Sequence, residues 1–380
     1  MNKFNKMRQL IRSNGFWGSS RVIARYWIIF FSAFFVKKGD ILFISSGVGD
    51  SAYYRTRNVA EELRQHGFLA EATIFDNPRL LKLVDQFKIF IIHRATYSQK
   101  SLALVEKIKN QKKELIFDAD DLLFDFRYTS QLTHLNQEEK TGMGKEFLED
   151  PYVKVATTTT TYLAKILEQK GKKVFVVTNK ISNAELELTD KLLKAGRKTK
   201  DDFVCLGYFS GTSSHNKDFA TITDVLLAVM REYKNTKLIL AGPLEKENDL
   251  NDFSDRIITL PLVPRGEHYR NIQKADINLV PLENTPFCEA KSELKFFEAG
   301  ILGIPTVAVR NETFSGAIED GAAGFLAGNT LEWTEKLGRL IEDANLRKAI
   351  GEQAREKTLK DYTNKNSHSE QYYEYLRSKL

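Results

Sequence analysis

Three carboxylates follow an apolar run in the stretch "LIFDADDLLFD", which extends from Leu115 to Asp125. Asp118, Asp120 and Asp121 lie close together, where a buried strand should give way to a turn. Carboxylates at this spacing suit a divalent metal ion, the hydroxyl groups of a polar ligand, or the cap of a helix that begins at "DLLFDF". The residues alone leave these roles open, and we take Asp118 and Asp120 as candidate catalytic residues.

A histidine and an arginine end another apolar run, "KIFIIH", which covers Lys88 to His93 and is followed by Arg94. A single histidine is more often structural than catalytic. In open parallel sheets, however, ligands bind beyond the carboxyl ends of the strands, which is where this pair should lie. His93 and Arg94 are therefore candidate catalytic residues as well.

A glycine turn suited to phosphate occurs in "GYFSGTSSHNKDF", from Gly207 to Phe219. Such a turn between a strand and a helix exposes backbone N–H groups beside the positive end of the helix. Gly211, Thr212 and Lys217 would supply a close backbone approach, a hydroxyl and a positive charge. The alternative is an ordinary strand–helix loop in which Asp218 caps the helix.

Two lysines and a glutamate share one helix face in "PFCEAKSELKFFEAGILGIPTVAV", from Pro286 to Val309. If the helix begins near Ser292, Lys291, Lys295 and Glu298 lie on neighbouring turns. Cations near a helix N-terminus oppose the helix dipole, so an anionic ligand explains them better than helix stability does. The Glu298 carboxylate could accept hydrogen bonds from neighbouring hydroxyls, as on a ribose. Lys295 is a candidate for both ligand binding and catalysis.

The elements that position these residues alternate between continuous apolar strands and amphipathic helices, which is typical of an α/β protein with parallel sheets covered on both faces. The alternation pauses once at a polar, lysine-rich stretch and then restarts. We predict two Rossmann-like βαβ domains that face each other across a cleft. The predicted segments are an arm over 1–38, a first domain over 39–182, a linker over 183–202, a second domain over 203–358 and a final helix over 359–380.

The arm carries an excess of positive charge. The whole chain of 380 residues has a net charge of +6, but the first 38 residues contain eight lysines and arginines and no acid. The remainder is slightly acidic, which argues against a general nucleic-acid binder. "YWIIFFSAFFV" lies between these cations and is too short to span a bilayer, which takes about 20 residues. It suits either a peripheral contact with an acidic membrane or a buried first helix.

The paired domains, "SGTxxH" and "KSELKFFEAGILGIPTVAV" resemble retaining glycosyltransferases of the GT-B fold, in family 4. The resemblance implies that the second domain binds a nucleotide-sugar, with Glu298 on the ribose, and that the last helix crosses back to the first domain. It also implies that the first glycine loop, with Gly49 and Arg55, lies against the donor phosphate and the acceptor. Neither a metal ion nor another cofactor is implied.

Several positions depart from the pattern of that family. Its two glutamates are separated by seven residues, whereas Glu289 is one position too far from Glu298. An arginine that is usual after the glycine turn is replaced by Thr212. We expect Lys295 and Lys291 to neutralise the donor diphosphate instead.

The function expected from these features is transfer of a sugar from a nucleotide-sugar to a hydroxyl of a glycan or lipid-linked oligosaccharide, in cell-surface polysaccharide or glycolipid synthesis. We expect a cytoplasmic hexosyltransferase, peripheral on the inner face of the plasma membrane. With only two cysteines, the composition fits a reducing compartment. A nucleotide-sugar epimerase and a non-catalytic nucleotide-sugar-binding subunit remain as alternatives.

Overall fold

The computed structural model describes residues 24, 27–96, 98–129, 144–196, 203–211, 215–244 and 248–380. Its framework is two separate sheets of six parallel strands each. The central strands are short apolar runs that are buried along their whole length, as in Ile41–Ser45 and Ile89–His93. Burial of both faces of a strand favours continuous rather than alternating apolar sequence, and helices cover both sheets.

The first domain contains β1 to β6 and four longer helices. The strands are Ile41–Ser45, Ala70–Ile74, Ile89–His93, Glu114–Ala119, Val155–Thr158 and Lys173–Val176. Helix α1 consists of three consecutive segments, Asp50–Ala52, the π-helical Tyr53–Asn58 and Val59–Gln65; α2 is Gln99–Asn110, α3 is Thr161–Gln169 and α4 is Asn183–Ala195. Shorter helical segments are Leu80–Leu83, Val84–Gln86, Leu122–Phe124, Phe126–Thr129 and Lys145–Glu149.

The second domain repeats the alternation with β7 to β12. The strands are Val204–Phe209, Thr236–Ala241, Ile257–Leu260, Ile277–Val280, Thr306–Val309 and Phe325–Ala327. The helices are α5 (Asn216–Ala220), α6 (Thr223–Glu232), α7 (Arg265–Ile272), α8 (Pro286–Glu289), α9 (Leu294–Gly300), α10 (Glu312–Ala317), α11 (Thr330–Glu342) and α12 (Ala344–Asp361), with a 3-10 segment at Asn248–Arg256.

Both sheets reverse their strand order at one point. The first sheet has the order β2-β1-β3-β4-β5-β6, so it reverses between β1 and β3. The second has the order β12-β11-β10-β7-β8-β9 and reverses between β7 and β10. Crevices that bind ligands in open α/β sheets open at the carboxyl ends of the strands beside such a reversal. The loops after β1, β3, β7 and β10 are thus the places to look for a site.

The chain returns to the first domain at its end, as the sequence predicts. After α12, Thr363 pairs with Ile181 of the first domain. Helix α13 (Glu370–Arg377) then packs Tyr372, Tyr373 and Leu376 into the first-domain core. A buried Lys180–Glu62 ion pair of 2.6 Å lies beneath it, and the Tyr373 hydroxyl donates to the same glutamate at 2.6 Å. The last segment therefore ties the two domains together.

The described part of the arm has one face on the protein and one face outside. Residues 27–32 are helical. Ala33 is buried, and its carbonyl accepts a 2.7 Å hydrogen bond from the Thr73 hydroxyl. Phe31 and Phe35 are exposed, by 53% and 84%. The buried face agrees with a helix packed on the first domain, the membrane contact stays a prediction, and residues 1–23, 25 and 26 lie outside the described residues. In the described part of the chain, every helix is too short or too polar to cross a membrane.

Some element predictions need correction. The edge strands β2 and β12 do not stand out in the sequence, because Ala70–Ile74 and Phe325–Ala327 are short or partly polar. The stretch predicted as a linker, whose composition suits a short helix, contains the 13-residue helix α4 with a capping box between Ser182 and Glu185. The last helix of the second domain continues to Asp361, slightly beyond the predicted boundary.

Candidate functional site

The strand ends of the first domain bring the predicted polar residues into one row. Ser45 of β1 pairs in register with His93 of β3, His93 pairs with Asp118 of β4, and Asp118 pairs with Thr157 of β5. The parallel register therefore places residues from distant parts of the sequence side by side at one edge of the sheet. His93 and Asp118 are thus neighbours at the ends of β3 and β4.

Asp118 lies inside the protein and is fully hydrogen-bonded. Arg55 grips both carboxylate oxygens, with Nη2 at 2.6 Å from Oδ1 and Nε at 3.1 Å from Oδ2. His93 Nδ1 lies 2.9 Å from Oδ2, and the Thr157 hydroxyl donates to Oδ1 at 2.7 Å. These partners keep the pKa of the buried Asp118 carboxyl below its usual value. Contrary to our expectation, Asp118 does not line the cleft. It is buried beneath His93 and Arg55 and fixes their side chains through hydrogen bonds.

Arg55 also differs from its predicted role as a phosphate ligand. Its guanidinium is 1% exposed, and Nη1 donates to the carbonyl of Val177 at 2.5 Å and to Asn179 Oδ1 at 3.2 Å. All of its nitrogens therefore bind protein atoms. Gly49, predicted with it, is the N-cap of α1, and a Cβ at this position would meet no atom within 4 Å. The loop at Gly49 stays open to a ligand, whereas Arg55 does not.

Asp120 is the carboxylate nearer to the cleft. Arg94 binds it with both arms of the guanidinium, at 2.6 Å and 3.0 Å, and the Ser51 hydroxyl donates to Oδ2 at 2.6 Å. Arg94 above all lowers the pKa of this carboxyl, against the effect of burial. The backbone of Arg94 adopts φ +46°, a left-handed conformation that non-glycine residues rarely take and that is found at strained functional sites. Asp120 and Arg94 remain candidates for contact with a substrate.

His93 is covered in this structure. It is 1% exposed, and the Ser51 hydroxyl lies 2.9 Å from Nε2, opposite the Asp118 side of the ring. Ser51 therefore bridges His93 and Asp120. A ligand can reach the histidine only if Ser51 moves.

Asp121 is the cap that the sequence allows. Its carboxylate accepts from the backbone N–H of Leu122, at 2.9 Å, and so caps the 3-10 segment that follows. Burial raises its pKa, and the positive charge of Lys291 in the second domain is the largest opposing effect. Asp121 thus marks where the first domain approaches the lysines of the second.

The glycine turn of the second domain follows β7. Gly211 and Lys217 are exposed, as a phosphate loop requires, while Thr212 lies outside the described residues. Gly242, after β8, has φ +97°, and a Cβ there would collide with the carbonyl oxygen of Ser210. Only glycine therefore fits at 242, and it fixes the start of the turn.

Asp218 does not cap α5, whose N-cap is His215. Its carboxylate accepts from Glu283 N–H at 3.0 Å and from Cys288 Sγ at 3.3 Å, and His215 Nδ1 lies 2.8 Å away. His215 and Lys291 help to lower the pKa of Asp218 to about 2. Burial and the nearby Lys295 lower the pKa of His215 to about 4, so its imidazole is neutral at physiological pH.

Helix α9 begins later than predicted, with Glu293 rather than Ser292 at the N-cap. Lys291 therefore precedes the helix, whereas Lys295 and Glu298 lie on it. Lys291 is 20% exposed, and its Nζ is 3.9 Å from Asp218. The positive charges of both lysines help to lower the pKa of His215, which shows that the two lysines still lie near one another.

Lys295 is a buried cation without a hydrogen-bonding partner. Among the described residues, no polar atom accepts a hydrogen bond from its Nζ, which is shielded from solvent and lies 4.3 Å from the centre of the Tyr208 ring. Burial lowers its pKa to about 8, and repulsion by Lys291 adds to the effect. A buried ammonium with unmet hydrogen bonds is unfavourable, and an anionic ligand would satisfy it.

Glu298 faces three polar side chains. Its Oε1 accepts from the Tyr54 hydroxyl at 2.7 Å and from Arg265 Nη2 at 3.3 Å, and His268 Nε2 lies 3.4 Å from Oε2. His268 and Arg265 keep the pKa of the buried carboxyl low. Glu298 is thus an ionised acceptor suited to hydroxyl donors, and one hydroxyl from the protein already occupies it.

Glu289, the displaced glutamate, has a structural role in this structure. Its carboxylate accepts from the backbone N–H of Glu312 at the start of α10, and its carbonyl accepts from the Thr313 hydroxyl at 3.0 Å. Glu312 in turn pairs with Lys165 of the first domain at 2.8 Å. Glu289 therefore helps to position an interdomain contact.

The described residues offer one group with the composition of a metal site, Asp218, Glu283 and Cys288, whose ligand atoms lie within 4.8 Å of one another. Burial and Asp218 raise the pKa of the Cys288 thiol to about 12, which disfavours a metal-binding thiolate. The ammonium of Lys291 beside Asp218 also opposes a cation. Asp118 and Asp120 are neutralised by arginines, so neither group fits a metal well.

Ser51 and Arg265 were not among the candidate residues, and Tyr54 was not assigned a role of its own. Ser51 and Tyr54 lie directly after the glycine loop, which was the available signal. Arg265 follows β9 in "LVPRGEH", at another strand end. It binds Glu185 and Glu298, and its guanidinium lies 3.8 Å from the centre of the Tyr54 ring. Its position at a strand end is the only signal in the sequence that could have identified it.

The chain has the GT-B fold, in agreement with solved structures that share its architecture. Sucrose-phosphate synthase from Thermosynechococcus elongatus superposes with a TM-score of 0.63 at 14% identity, over 90% of this chain and 100% of that one. HepE from Anabaena, solved in complex with UDP and glucose, gives 0.60 at 14% identity, with the same coverage. The pneumococcal O-GlcNAc transferase GtfA, in complex with UDP and GlcNAc, gives 0.57 at 14% identity, over 79% and 59%.

Residues 224–370 match the family model described as glycosyl transferase-like. The match includes α9 with Lys295 and Glu298, so the sequence similarity covers the proposed donor side of the cleft. No curated protein sequence shows significant similarity to the chain. The family match and the fold agree with the expectation of a glycosyltransferase enzyme.

Proposed function

We propose that the protein transfers a sugar from a nucleotide-sugar to a hydroxyl of a glycan or lipid-linked oligosaccharide, with retention at the anomeric carbon. The observation that carries the proposal is the buried Lys295 ammonium without a hydrogen-bonding partner among the described residues, beside Lys291 and one helical turn from the ionised Glu298. A donor with a diphosphate and a ribose would satisfy both kinds of group. The diphosphate would meet the lysines, and the ribose hydroxyls would meet Glu298.

The lysines act on charge that develops during the reaction. As the bond between the anomeric carbon and the diphosphate oxygen breaks, negative charge grows on the leaving diphosphate. Lys295 and Lys291, together with N–H groups of the turn at Gly211, stabilise it. The acceptor oxygen bonds to the anomeric carbon, and its proton passes to an oxygen of the leaving phosphate. No protein nucleophile and no metal or other cofactor take part in this scheme.

The first domain supplies the acceptor side. Asp120 and Arg94 form a partly exposed pair that can bind sugar hydroxyls, since the Arg94 side chain is 29% exposed. Asp118 positions this region through His93 and does not touch the substrate. The resemblance to family 4 supports retention, with the acceptor and the leaving phosphate on one face of the donor sugar.

Calorimetric titration with UDP-, GDP-, dTDP- and CMP-sugars tests donor binding. We expect one nucleotide class to bind, and we expect free nucleotide to be released only when a glycan or lipid-linked acceptor is present. If none of the donors binds, the proposal is wrong. Release of free nucleotide without an acceptor would instead favour an epimerase.

A non-catalytic donor-binding subunit is the second candidate, because Glu289 is held by Glu312 and is not free to bind the donor sugar. Turnover can be followed by NMR of the donor anomeric signal. Donor binding without turnover on any acceptor would favour this candidate. Product with the anomeric configuration of the donor would exclude it and support retention.

We also propose a peripheral contact with an anionic membrane on the cytoplasmic side, which would bring the enzyme to lipid-linked acceptors. Ile28, Phe31 and Phe35 expose apolar surface beside Lys37 and Lys38. Aromatic and basic residues together favour the headgroup region of acidic bilayers. Flotation with phosphatidylglycerol vesicles should be lost in Phe31→Ser/Phe35→Ser and kept in Leu331→Ser, which alters an exposed leucine of the second domain. Equal flotation of both variants would contradict the contact.

A further inference from the structure

The first turns of α1 contact both sides of the cleft at once. Tyr54 of the first domain reaches across to Glu298 of the second, while Ser51, less than one turn earlier, bridges His93 and Asp120. One short segment therefore occupies the groups that the proposed function assigns to the donor and those that it assigns to the acceptor.

The Tyr54 hydroxyl makes the kind of bond that a ribose would make. It is a neutral hydroxyl donating to the Glu298 carboxylate at 2.7 Å, from a side chain that is 2% exposed. The Tyr54 ring packs edge-on against Phe297, with 6.3 Å between ring centres, and against the Arg265 guanidinium. The Tyr54 ring therefore fills the space beside the Glu298 carboxylate, and its hydroxyl takes up one of the hydrogen bonds that the carboxylate can accept.

Both Glu298 oxygens have partners in this structure, since Oε1 binds Tyr54 and Arg265 and Oε2 lies near His268. A ribose diol that binds this carboxylate must displace at least one of them. Among the described residues, the Tyr54 hydroxyl bonds to Glu298 alone, whereas Arg265 is held independently by Glu185. His268 is 28% exposed and lies 3.4 Å from the carboxylate, so it can yield as well, but Tyr54 is the partner whose hydroxyl a ribose hydroxyl replaces in kind.

The backbone around Tyr54 is of a type that can rearrange. Tyr53–Asn58 is a π-helical turn, a rare conformation that is often found at functional sites. Conversion of such a turn to α-helix shifts the register by one residue, which rotates the preceding side chains by about 100°. The far end of the turn is fixed, because Arg55 binds Asp118 and Asn58 binds Lys180 and Asn364. The part that can move is thus residues 50–54, and its movement must also release the Tyr53 hydroxyl from Ser182.

We propose that residues 50–54 form a latch that keeps the cleft closed to both substrates until a donor displaces Tyr54 from Glu298. This inference rests on the proposed function. Because Ser51 and Tyr54 belong to one helical segment, release of Tyr54 also moves Ser51 and uncovers His93 and Asp120. Donor binding would thereby prepare the acceptor side, and the enzyme would bind its substrates in that order.

Calorimetry on Tyr54→Phe tests the latch with the nucleotide-sugar that binds the wild type. The substitution keeps the ring and removes the competing hydroxyl, so donor affinity should rise by about three- to tenfold. Tyr233→Phe is the control outside the latch, because its hydroxyl donates to Glu342 of α11 and not to Glu298. The affinity of this control should remain within about twofold of the wild type. Lower or unchanged affinity in Tyr54→Phe would overturn the latch.

Amide hydrogen exchange of residues 50–54 is a second measurement. If Tyr54 only packs against its neighbours, a bound donor should not change the exchange rate of these residues. The donor should increase exchange in the wild type, and Tyr54→Phe should already exchange faster without it. Slower exchange on donor addition would mean that Tyr54 clamps the donor, and it would contradict the proposal. If wild type and variant both fail to bind any nucleotide-sugar, the proposed function fails and the latch fails with it. A donor that binds without loosening residues 50–54 refutes the latch alone.

Discussion

The charged residues of the two domains are satisfied to different degrees: the carboxylates of the first lie at the end of β4, and the lysines of the second lie just before α9 and on it. In the first domain the two carboxylates at the end of β4 each have a guanidinium partner, Arg55 for Asp118 and Arg94 for Asp120. In the second domain the buried Lys295 ammonium has no hydrogen-bonding partner among the described residues, and Lys291 lies nearby. The first cluster satisfies itself, and the second leaves a positive charge for a ligand.

This difference separates residues that hold the fold from residues that bind substrate. Removing one member of a buried ion pair leaves the other as a buried charge without a counter-charge, which strongly destabilises a protein. An unpaired buried charge is already unfavourable, so its removal should stabilise the fold while function is lost. Of the four charged residues most prominent in the sequence, Asp118 thus holds the fold, and the two lysines are left to bind the donor. Asp120 is paired but partly exposed, so it lies between these two groups.

The largest expected effect is on stability, in Asp118→Asn. The substitution leaves Arg55 buried without its counter-charge, so the free energy of unfolding should fall by about 3–5 kcal/mol in urea denaturation. Glu352→Gln is the matched control, because Glu352 forms a surface pair with Lys348 and is 64% exposed. The control should lose less than about 1 kcal/mol. If both variants lose a similar free energy of unfolding, the Arg55–Asp118 pair does not hold the fold and the contrast between the two domains fails.

A smaller effect is expected on the pH dependence of donor affinity. The pKa of Lys295 is about 8 without ligand, below its value of 10.5 in the unfolded chain, and a bound diphosphate would raise it. Donor affinity should therefore be constant below pH 8 and fall above it, by up to about tenfold per pH unit. Titration of a nucleotide-sugar between pH 6.5 and 9.5 measures this, with Lys295→Arg as the control. The variant should keep a flat profile, and a flat profile in the wild type would contradict a role of Lys295.

The smallest effect is expected for Asp121→Asn. Asparagine can still cap the segment at Leu122, but the negative charge that faces Lys291 is lost. The lysines would then attract the diphosphate more strongly, and donor affinity should rise by about twofold to threefold. A fall in affinity, measured by calorimetry, would mean that Asp121 assists the donor rather than opposing it.

Much of the fold is predictable from the sequence because its central strands are uniformly apolar. Runs such as "ILFISS" and "KIFIIH" correspond closely to β1 and β3. The edge strand β2 is less predictable, since Ala70–Ile74 has fewer buried positions and a glutamate at its second position. The π-helical turn of α1 has no apolar periodicity that distinguishes it from an α-helix, so it was not foreseen.

The site is predictable only where its residues are close in sequence. Lys291, Lys295 and Glu298 follow from one helix, but the Arg55–Asp118 pair joins positions 63 residues apart. From the sequence, Arg55 and Asp118 both looked like ligands of a substrate, because each follows a strand or glycine loop. Only the packing of α1 against the end of β4 shows that they bind each other. The Tyr54–Glu298 contact joins two domains and is likewise outside the reach of local patterns.

A thermal-shift titration of Lys295→Met with the nucleotide-sugar that the wild type binds tests the central claim most directly, since it reports stability and binding in one experiment. Without donor, the variant should melt at a higher temperature than the wild type, because a buried charge is replaced by an apolar side chain of similar length. On donor addition the wild type should shift upward and the variant should not. A variant that melts lower than the wild type and still shows a wild-type shift would contradict the account.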